Sequence, residues 1–159
     1  MLDVGSSTGG FTDYALRHGA SKVIAVDSGT NQLHPSLRTD PRIELREQTD
    51  IRSIKKLSTK IDIVLIDVSF ISLRQVLPHI AKLVSSDAQV VAMLKPQFEV
   101  IGESQKHKGV IKNNSLRRQI AKNFEQWVTD SYKIVSKADS GVYGEKGNQE
   151  KFYLLRLLG

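Results

Sequence analysis

Cysteine is absent from the 159 residues. That removes disulfides, thiolate metal sites and a cysteine nucleophile together, and it mildly favours the cytosol. Also missing is any apolar run approaching the roughly 18 residues that span a bilayer. The best candidates, Ile63 to Ile66 and Val90 to Leu94, end at Asp67 and Lys95. The expectation is a soluble, cytoplasmic domain with no membrane partner. Met1 runs straight into Leu2-Asp3-Val4-Gly5 without a basic segment followed by an apolar one, so no secretory signal is read there. There is no internal repeat, low-complexity tract or long linker.

What is present suits one globular domain, with 40% hydrophobic residues. Lys and Arg number 23 against 17 Asp and Glu, a net charge of +6. The balance favours polyanionic partners, RNA among them, although the lysines are scattered rather than blocked, as in an ordinary basic cytosolic protein.

Short apolar runs rich in β-branched residues predict strands at Lys22 to Val26, Ile61 to Ile66, Gln89 to Leu94, Tyr132 to Ser136 and Phe152 to Leu158, with a weaker one near Arg42 to Leu45. Helical spacing falls between them, at Phe11 to His18, Gln32 to Arg38, Leu73 to Val84 and Ser115 to Thr129. In the last, Leu116, Ile120, Phe124 and Trp127/Val128 make one apolar face while Arg117, Arg118, Lys122 and Glu125 stay wet. Such alternation implies a doubly wound α/β fold, its mainly parallel sheet covered on both sides. Two stretches read as irregular: Gln97 to Asn114, and Asp139 to Asn148 with Gly141, Gly144 and Gly147.

The strongest local signal is Leu2-Asp3-Val4-Gly5-Ser6-Ser7-Thr8-Gly9-Gly10-Phe11, a strand end, a glycine-rich turn and a helix start. Glycine belongs there because the backbone must turn sharply and approach a ligand closely. Further on, Val23-Ile24-Ala25-Val26-Asp27 ends a second strand in a carboxylate, where ribose hydroxyls of a nucleoside are received. A turn and a distal acid do not separate S-adenosylmethionine from a nicotinamide dinucleotide. Asp3 does: a carboxylate before the first glycine repels a pyrophosphate and attracts the ammonium group of a methionine moiety. A ligand-free turn, with Asp27 merely capping a helix, is the plain alternative. Asp50 is a candidate partner for the adenine amine, with Ile51 packing on the ring; capping the short Ile51 to Leu57 segment is the competing role for Asp50.

Ligands in doubly wound sheets sit outside the carboxyl ends of the strands. Two strands end there in polar residues, one at Asp67 before Val68-Ser69-Phe70, the other at Lys95 before Pro96-Gln97-Phe98-Glu99. Neighbouring strands would set Asp67 beside Lys95 near a methyl donor; a structural salt bridge is the bland reading. Methyl transfer to oxygen needs the acceptor hydroxyl aligned and relieved of its proton. A neutral lysine can take that proton, and a carboxylate beside it orients and tunes it. Glu150, just before the final strand, could hold the hydroxyl or the lysine, or simply face solvent.

Three strings, Asp3-Val4-Gly5-Ser6-Ser7-Thr8-Gly9-Gly10-Phe11-Thr12-Asp13, Ile66-Asp67-Val68-Ser69-Phe70-Ile71-Ser72-Leu73 and Lys95-Pro96-Gln97-Phe98-Glu99, together resemble the hemolysin A family of FtsJ-like ribosomal RNA methyltransferases. Lys108-Gly109-Val110-Ile111-Lys112 and Gly147-Asn148-Gln149-Glu150 fit too, and the resemblance runs from Leu2 to Gly159. It implies a Rossmann-like S-adenosylmethionine-dependent fold with an antiparallel last strand, and 2′-O-methylation of ribosomal RNA or a ribosomal subunit at cytidine, without a metal. It also implies a Lys-Asp-Lys-Glu tetrad, whose last three members fall on Asp67, Lys95 and Glu150. The first lysine and an S4-type RNA-binding domain are expected upstream, so residues 1–159 read as a methyltransferase domain truncated at its N-terminus. The expected cofactor contacts are Asp3, Gly5, Ser6, Gly9, Gly10, Phe11, Asp27, Asp50, Ile51 and Asp67; Lys106, Lys108 and Lys112 are expected to meet RNA phosphates. The competing readings are a nucleotide-dependent oxidoreductase on the same fold, and a non-catalytic RNA-binding or hemolysin-like module.

Overall fold

Inside a seven-stranded sheet, β1 (Leu2–Val4) pairs in parallel with β2 (Val23–Val26) on one side and β4 (Ile63–Ile66) on the other. The computed structural model describes residues 1–100, 110–111, 113–144 and 147–159. Outside β2 lies β3 (Ile43–Arg46), and beside β4 lies β5 (Gln89–Leu94), both parallel to their neighbours. β7 (Gln149–Leu157) runs antiparallel to β5, and β6 (Tyr132–Tyr143) closes that edge antiparallel to β7. The order is thus β3-β2-β1-β4-β5-β7-β6, the Rossmann-like arrangement with an antiparallel last strand. The chain leaves β1 toward one edge and returns to β4 on the other side, and a crevice opens at their carboxyl ends where the two crossovers part.

Alternation along β1 sorts its side chains between two faces. Leu2 and Val4 join the main core with Val64, Ile66, Val90, Ala92, Tyr153 and Leu155. Against that face pack α3 (Leu73–Leu83), through Leu73, Val76, Leu77 and Ile80, and α4 (Asn114–Val128), through Phe124 and Val128. Each such buried side chain contributes about 1.5–3 kcal/mol. Both helices start at side-chain caps: Ser72 accepts from the amide of Arg74, and Asn113 from those of Ser115 and Leu116. The phenol of Tyr132, at the start of β6, donates to the Leu77 carbonyl at 2.8 Å and ties α3 to the sheet edge.

Asp3 points to the opposite face, where α1 (Gly10–Arg17) covers it and the hydroxyl of Thr12 donates to its carboxylate at 2.7 Å. A single helical turn, α2 (Pro35–Arg38), lies at the N-terminal end of α1. It is shorter than the periodicity from Gln32 predicts, because Pro35 sets the first helical position. Coverage on this side differs from expectation. Among the described residues, Ile63 is 44% exposed and Leu65, Val91, Phe152 and Leu154 are half-buried, so the β4-β5-β7 part of the face is open.

A second difference concerns Asp139 to Asn148. Instead of an irregular segment, β6 continues to Tyr143 and β7 begins at Gln149, with Asp139 paired to Lys151 and Tyr143 to Gln149. Lys137 to Tyr143 shows no apolar alternation because this edge strand is held by pairing to β7, through two register shifts, rather than by burial. Glu150 therefore sits inside β7. Lys106, Lys108 and Lys112 lie outside the described residues.

Candidate active site

Beyond the carboxyl ends of β1, β2 and β4 is a cavity of about 480 Å³, bordered by Gly5, Ser7, Asp27, Asp50, Ile51, Asp67 and the Val68-Ser69-Phe70-Ile71 loop. The turn above it is pinned from below: the amides of Gly5 and Ser6 both donate to the Val26 carbonyl, at 2.8 and 3.1 Å. Gly5 adopts φ +83°, and a Cβ there would overlap the Asp67 carbonyl oxygen. The two strand ends approach so closely that only glycine fits. Gly9 also has positive φ, +94°, and packs under the side chains of Leu33 and Leu37. Gly10 differs from its neighbours: its Cβ position is open space, so close approach of the protein's own atoms does not require glycine there.

Both carboxylate oxygens of Asp27 accept backbone amides, Oδ2 from Ser7 at 2.8 Å and Oδ1 from Gly29 at 2.7 Å. Asp27 thus braces the turn, and it keeps lone pairs for further donors facing the cavity. Asp50 is the cap of a 3-10 turn at Ile51–Ser53, is ion-paired with Arg52 at 2.7 Å, and borders the cavity as well. The Arg52 side chain holds its carboxyl below the ordinary range. Ile51 is buried and supplies an apolar wall.

Asp3 is not among the residues that border this cavity. It is fully buried beneath the turn, and its Oδ1 lacks a hydrogen-bond partner among the described residues. Burial pushes its carboxyl up to about 6, opposed by the Thr12 hydrogen bond and reinforced by the charges of Asp67 and Asp27. The Ser6 hydroxyl is likewise buried without a partner. These orphaned acceptors, below a turn that excludes side chains, fit a ligand that brings donors and positive charge. Ser6, Gly10 and Phe11 border a second cavity of about 600 Å³ on the opposite face, which shares Gly5, Ser7 and Asp67 with the first. Of the ten expected cofactor residues, Gly5, Asp27, Asp50, Ile51 and Asp67 surround the first cavity. Gly9 and Asp3 support the turn from behind.

Lys95 follows β5 and reaches back to Asp67, with Nζ 2.7 Å from Oδ1, and it donates to the Ser69 hydroxyl at 3.1 Å. Its side chain is 13% exposed. Glu150, 8% exposed, stands near this pair from β7. Burial raises its carboxyl, Lys95 lowers it and Asp67 raises it. Gly144, just past the end of β6, leaves room for it, since a Cβ there would overlap the Glu150 carboxylate. Asp67, Lys95 and Glu150 are thus gathered where β4, β5 and β7 meet, with Asp67 bordering both cavities.

Sequence reasoning missed several contributors. Phe70 is 87% exposed at φ +65°, a strained conformation for an aromatic residue, with its ring 5.3 Å from that of Phe98. Glu47 accepts the amides of Asn31, Gln32 and Leu33, and so shapes the loop after β2; Arg38 first, then these amides, hold its carboxyl near 2. Buried Glu99 accepts from the Ser72 hydroxyl and the Leu73 amide at the start of α3. The exposed, strained phenylalanine had a signal in its place just after Asp67. The carboxylates had none, because their partners are remote in sequence.

The sequence model of the FtsJ-like methyltransferases matches residues 1–157. The chain belongs to that family. It is 40% identical over 155 residues to the 23S rRNA (cytidine-2′-O)-methyltransferase TlyA of Campylobacter jejuni, covering 96% of this chain and 60% of that protein. Hemolysin A of Brachyspira hyodysenteriae is 40% identical over 153 residues, covering 94% of this chain and 64% of that one. A solved protein from Streptococcus thermophilus, described only provisionally as a hemolysin, superposes with a TM-score of 0.92 at 38% identity, covering 98% of this chain and 58% of that one. The chain therefore spans about 60% of the length of the curated relatives it matches. Among the described residues, no helix is long and apolar enough to cross a membrane.

Proposed function

We propose that this FtsJ-like domain transfers the methyl group of S-adenosylmethionine to a ribose 2′-hydroxyl of ribosomal RNA, at cytidine, in the cytoplasm. The observation that carries the reading is the Lys95–Asp67 pair, 2.7 Å apart at the mouth of the crevice beneath which Oδ1 of Asp3 lies without a partner among the described residues. Bound in that crevice, the cofactor would supply an electrophilic methyl group next to a positively charged sulfur. Asp3 would take its ammonium group, Asp27 its ribose hydroxyls, and Ile51 with Asp50 the adenine.

Lys95, its amine neutral, takes up the proton of the 2′-hydroxyl as that oxygen bonds the methyl carbon, and the bond that would break is the one from that carbon to sulfur, leaving a neutral thioether. Asp67 and Ser69 hold that amine in place. Glu150 orients the incoming hydroxyl. Phe70 offers an exposed ring on which the target base can stack, since every base has a π face.

Calorimetric titration of the chain with S-adenosylhomocysteine and with NADH tests the cofactor reading, and labelled-methyl transfer by the full-length protein to ribosomal RNA tests the reaction. Binding of S-adenosylhomocysteine alone, with label entering RNA, is the expected result. Binding of NADH instead would return the site to the oxidoreductases, and cofactor binding without transfer would leave a non-catalytic module.

A further inference from the structure

A groove of about 710 Å³ runs between α4 and the β6–β7 hairpin. Its helix wall carries Arg117, Arg118 and Lys122, and its sheet wall carries Lys137 and Lys151. Two carboxylates stand among these five cations, and each is taken by a lysine of the sheet wall: Lys137 lies 2.8 Å from Glu125, and Lys151 2.9 Å from Asp139. The helix-wall cations have no acidic partner among the described residues; Arg117 and Arg118 reach only the side-chain and backbone oxygens of Asn114. Arg118 and Lys122 are exposed and one turn apart, so they form a stripe facing the same way.

The lining also includes Leu94, Pro96 and Gln149, chain neighbours of Lys95 and Glu150, whose own side chains alternate to the other face of the sheet. A strand whose ribose lies at Lys95 has the end of β5 to cross before it meets these cations. We propose that this groove is the track for the RNA strand next to the methylated nucleotide, with phosphates held by Arg118, Lys122 and Arg117. The proposal rests on the RNA reading above and deepens it by naming where the strand runs. Phosphates are favoured by the surplus of three cations over carboxylates, and exposed pairs such as Lys137–Glu125 are weak enough to be exchanged for phosphate contacts. The spacing of the cations along one helix face suits a repeating anion better than a single one.

The test is the salt dependence of binding of a fluorescein-labelled single-stranded ribosomal RNA fragment, read by anisotropy. Removing two phosphate contacts lowers the slope of log affinity against log salt by about 1.4 for a single strand. The expected result is a fall of that size for Arg118→Gln/Lys122→Gln, with affinity for S-adenosylhomocysteine unchanged. The control is Lys55→Gln/Lys56→Gln, in a second lysine cluster near the start of β4 at the far end of the sheet, and its slope should match the parent chain. A parental slope in the groove variant overturns the proposal, and so does an equal flattening in the control, which would mean that net charge alone is felt. Should the double variant lose cofactor binding, the single change Arg118→Gln decides, with a fall of about 0.7 expected and an unchanged slope contradicting the track. Groove-dependent RNA binding without methyl transfer by the full-length protein would overturn the enzyme reading and leave the groove standing. Transfer with an unaltered slope would do the reverse.

Discussion

Lys95 and Asp67 end neighbouring parallel strands and meet at 2.7 Å, although β4 pairs Ile66 with Ala92, so that Lys95 stands beyond the level of Asp67 and reaches back to it. Only a long side chain spans that offset. The reach brings the amine to the crevice mouth and gives the pair a testable asymmetry. Lys95→Ala is expected to lower methyl transfer by about 10²–10⁴-fold, the range for a lost proton acceptor, while S-adenosylhomocysteine binds within about twofold of wild type. Single-turnover kinetics and calorimetry read the two quantities separately, and undiminished transfer would remove Lys95 from the chemistry.

Asp3 predicts a pH dependence. Its carboxyl is raised to about 6, chiefly by burial, so the folded chain holds this proton more tightly than the unfolded chain does. Stability without ligand is then lost as pH rises from about 4 to about 6, by about 3 kcal/mol for this group. A cationic ligand at Oδ1 needs the ionised form, so affinity for S-adenosylhomocysteine should fall about tenfold between pH about 7 and about 5. Asp3→Asn should bind more weakly and without that slope. A pH-independent affinity in the parent chain would separate Asp3 from the ligand.

Two glycines should respond in opposite ways. Gly5→Ala forces a Cβ onto the Asp67 carbonyl at positive φ, where backbone must move, and should destabilise the fold by about 2 kcal/mol or more. Gly144→Ala meets only the end of the Glu150 side chain. Its melting temperature should stay close to wild type, while transfer falls to the level of Glu150→Gln. Full activity in Gly144→Ala would show that the position of Glu150 is immaterial.

Phe70→Ala should leave cofactor affinity and melting temperature near wild type and raise the KM for RNA. Loss of one stacked base corresponds to about 1–3 kcal/mol, or about 5- to 150-fold. An unchanged KM would mean that the exposed ring does not meet the substrate.

Much of this is legible in the sequence because parallel, doubly buried strands leave near-continuous apolar runs: the run Gln89 to Leu94 has the bounds of β5 itself. Polar residues at the ends of such runs, Asp27, Asp67 and Lys95, were visible for the same reason. The outer half of β6 was not, because an edge strand held by hydrogen bonds to β7 needs no apolar face. Nor were Glu47 and Glu99, whose partners are backbone amides brought near only by folding. In sequence Asp50 suits either a cap or a cofactor contact; it caps the turn while bordering the cavity, so local pattern does not divide the two.

The role proposed for Lys95 and Asp67 is methyl transfer to a ribose oxygen. Its most direct test is to label ribosomal RNA with methyl-labelled S-adenosylmethionine and the full-length protein, then digest with alkali. A 2′-O-methyl group blocks cleavage of the adjoining phosphodiester, so the label should be recovered in an alkali-resistant dinucleotide, reduced at least about 10²-fold with Lys95→Ala. Label recovered in mononucleotides, on a base, would contradict it.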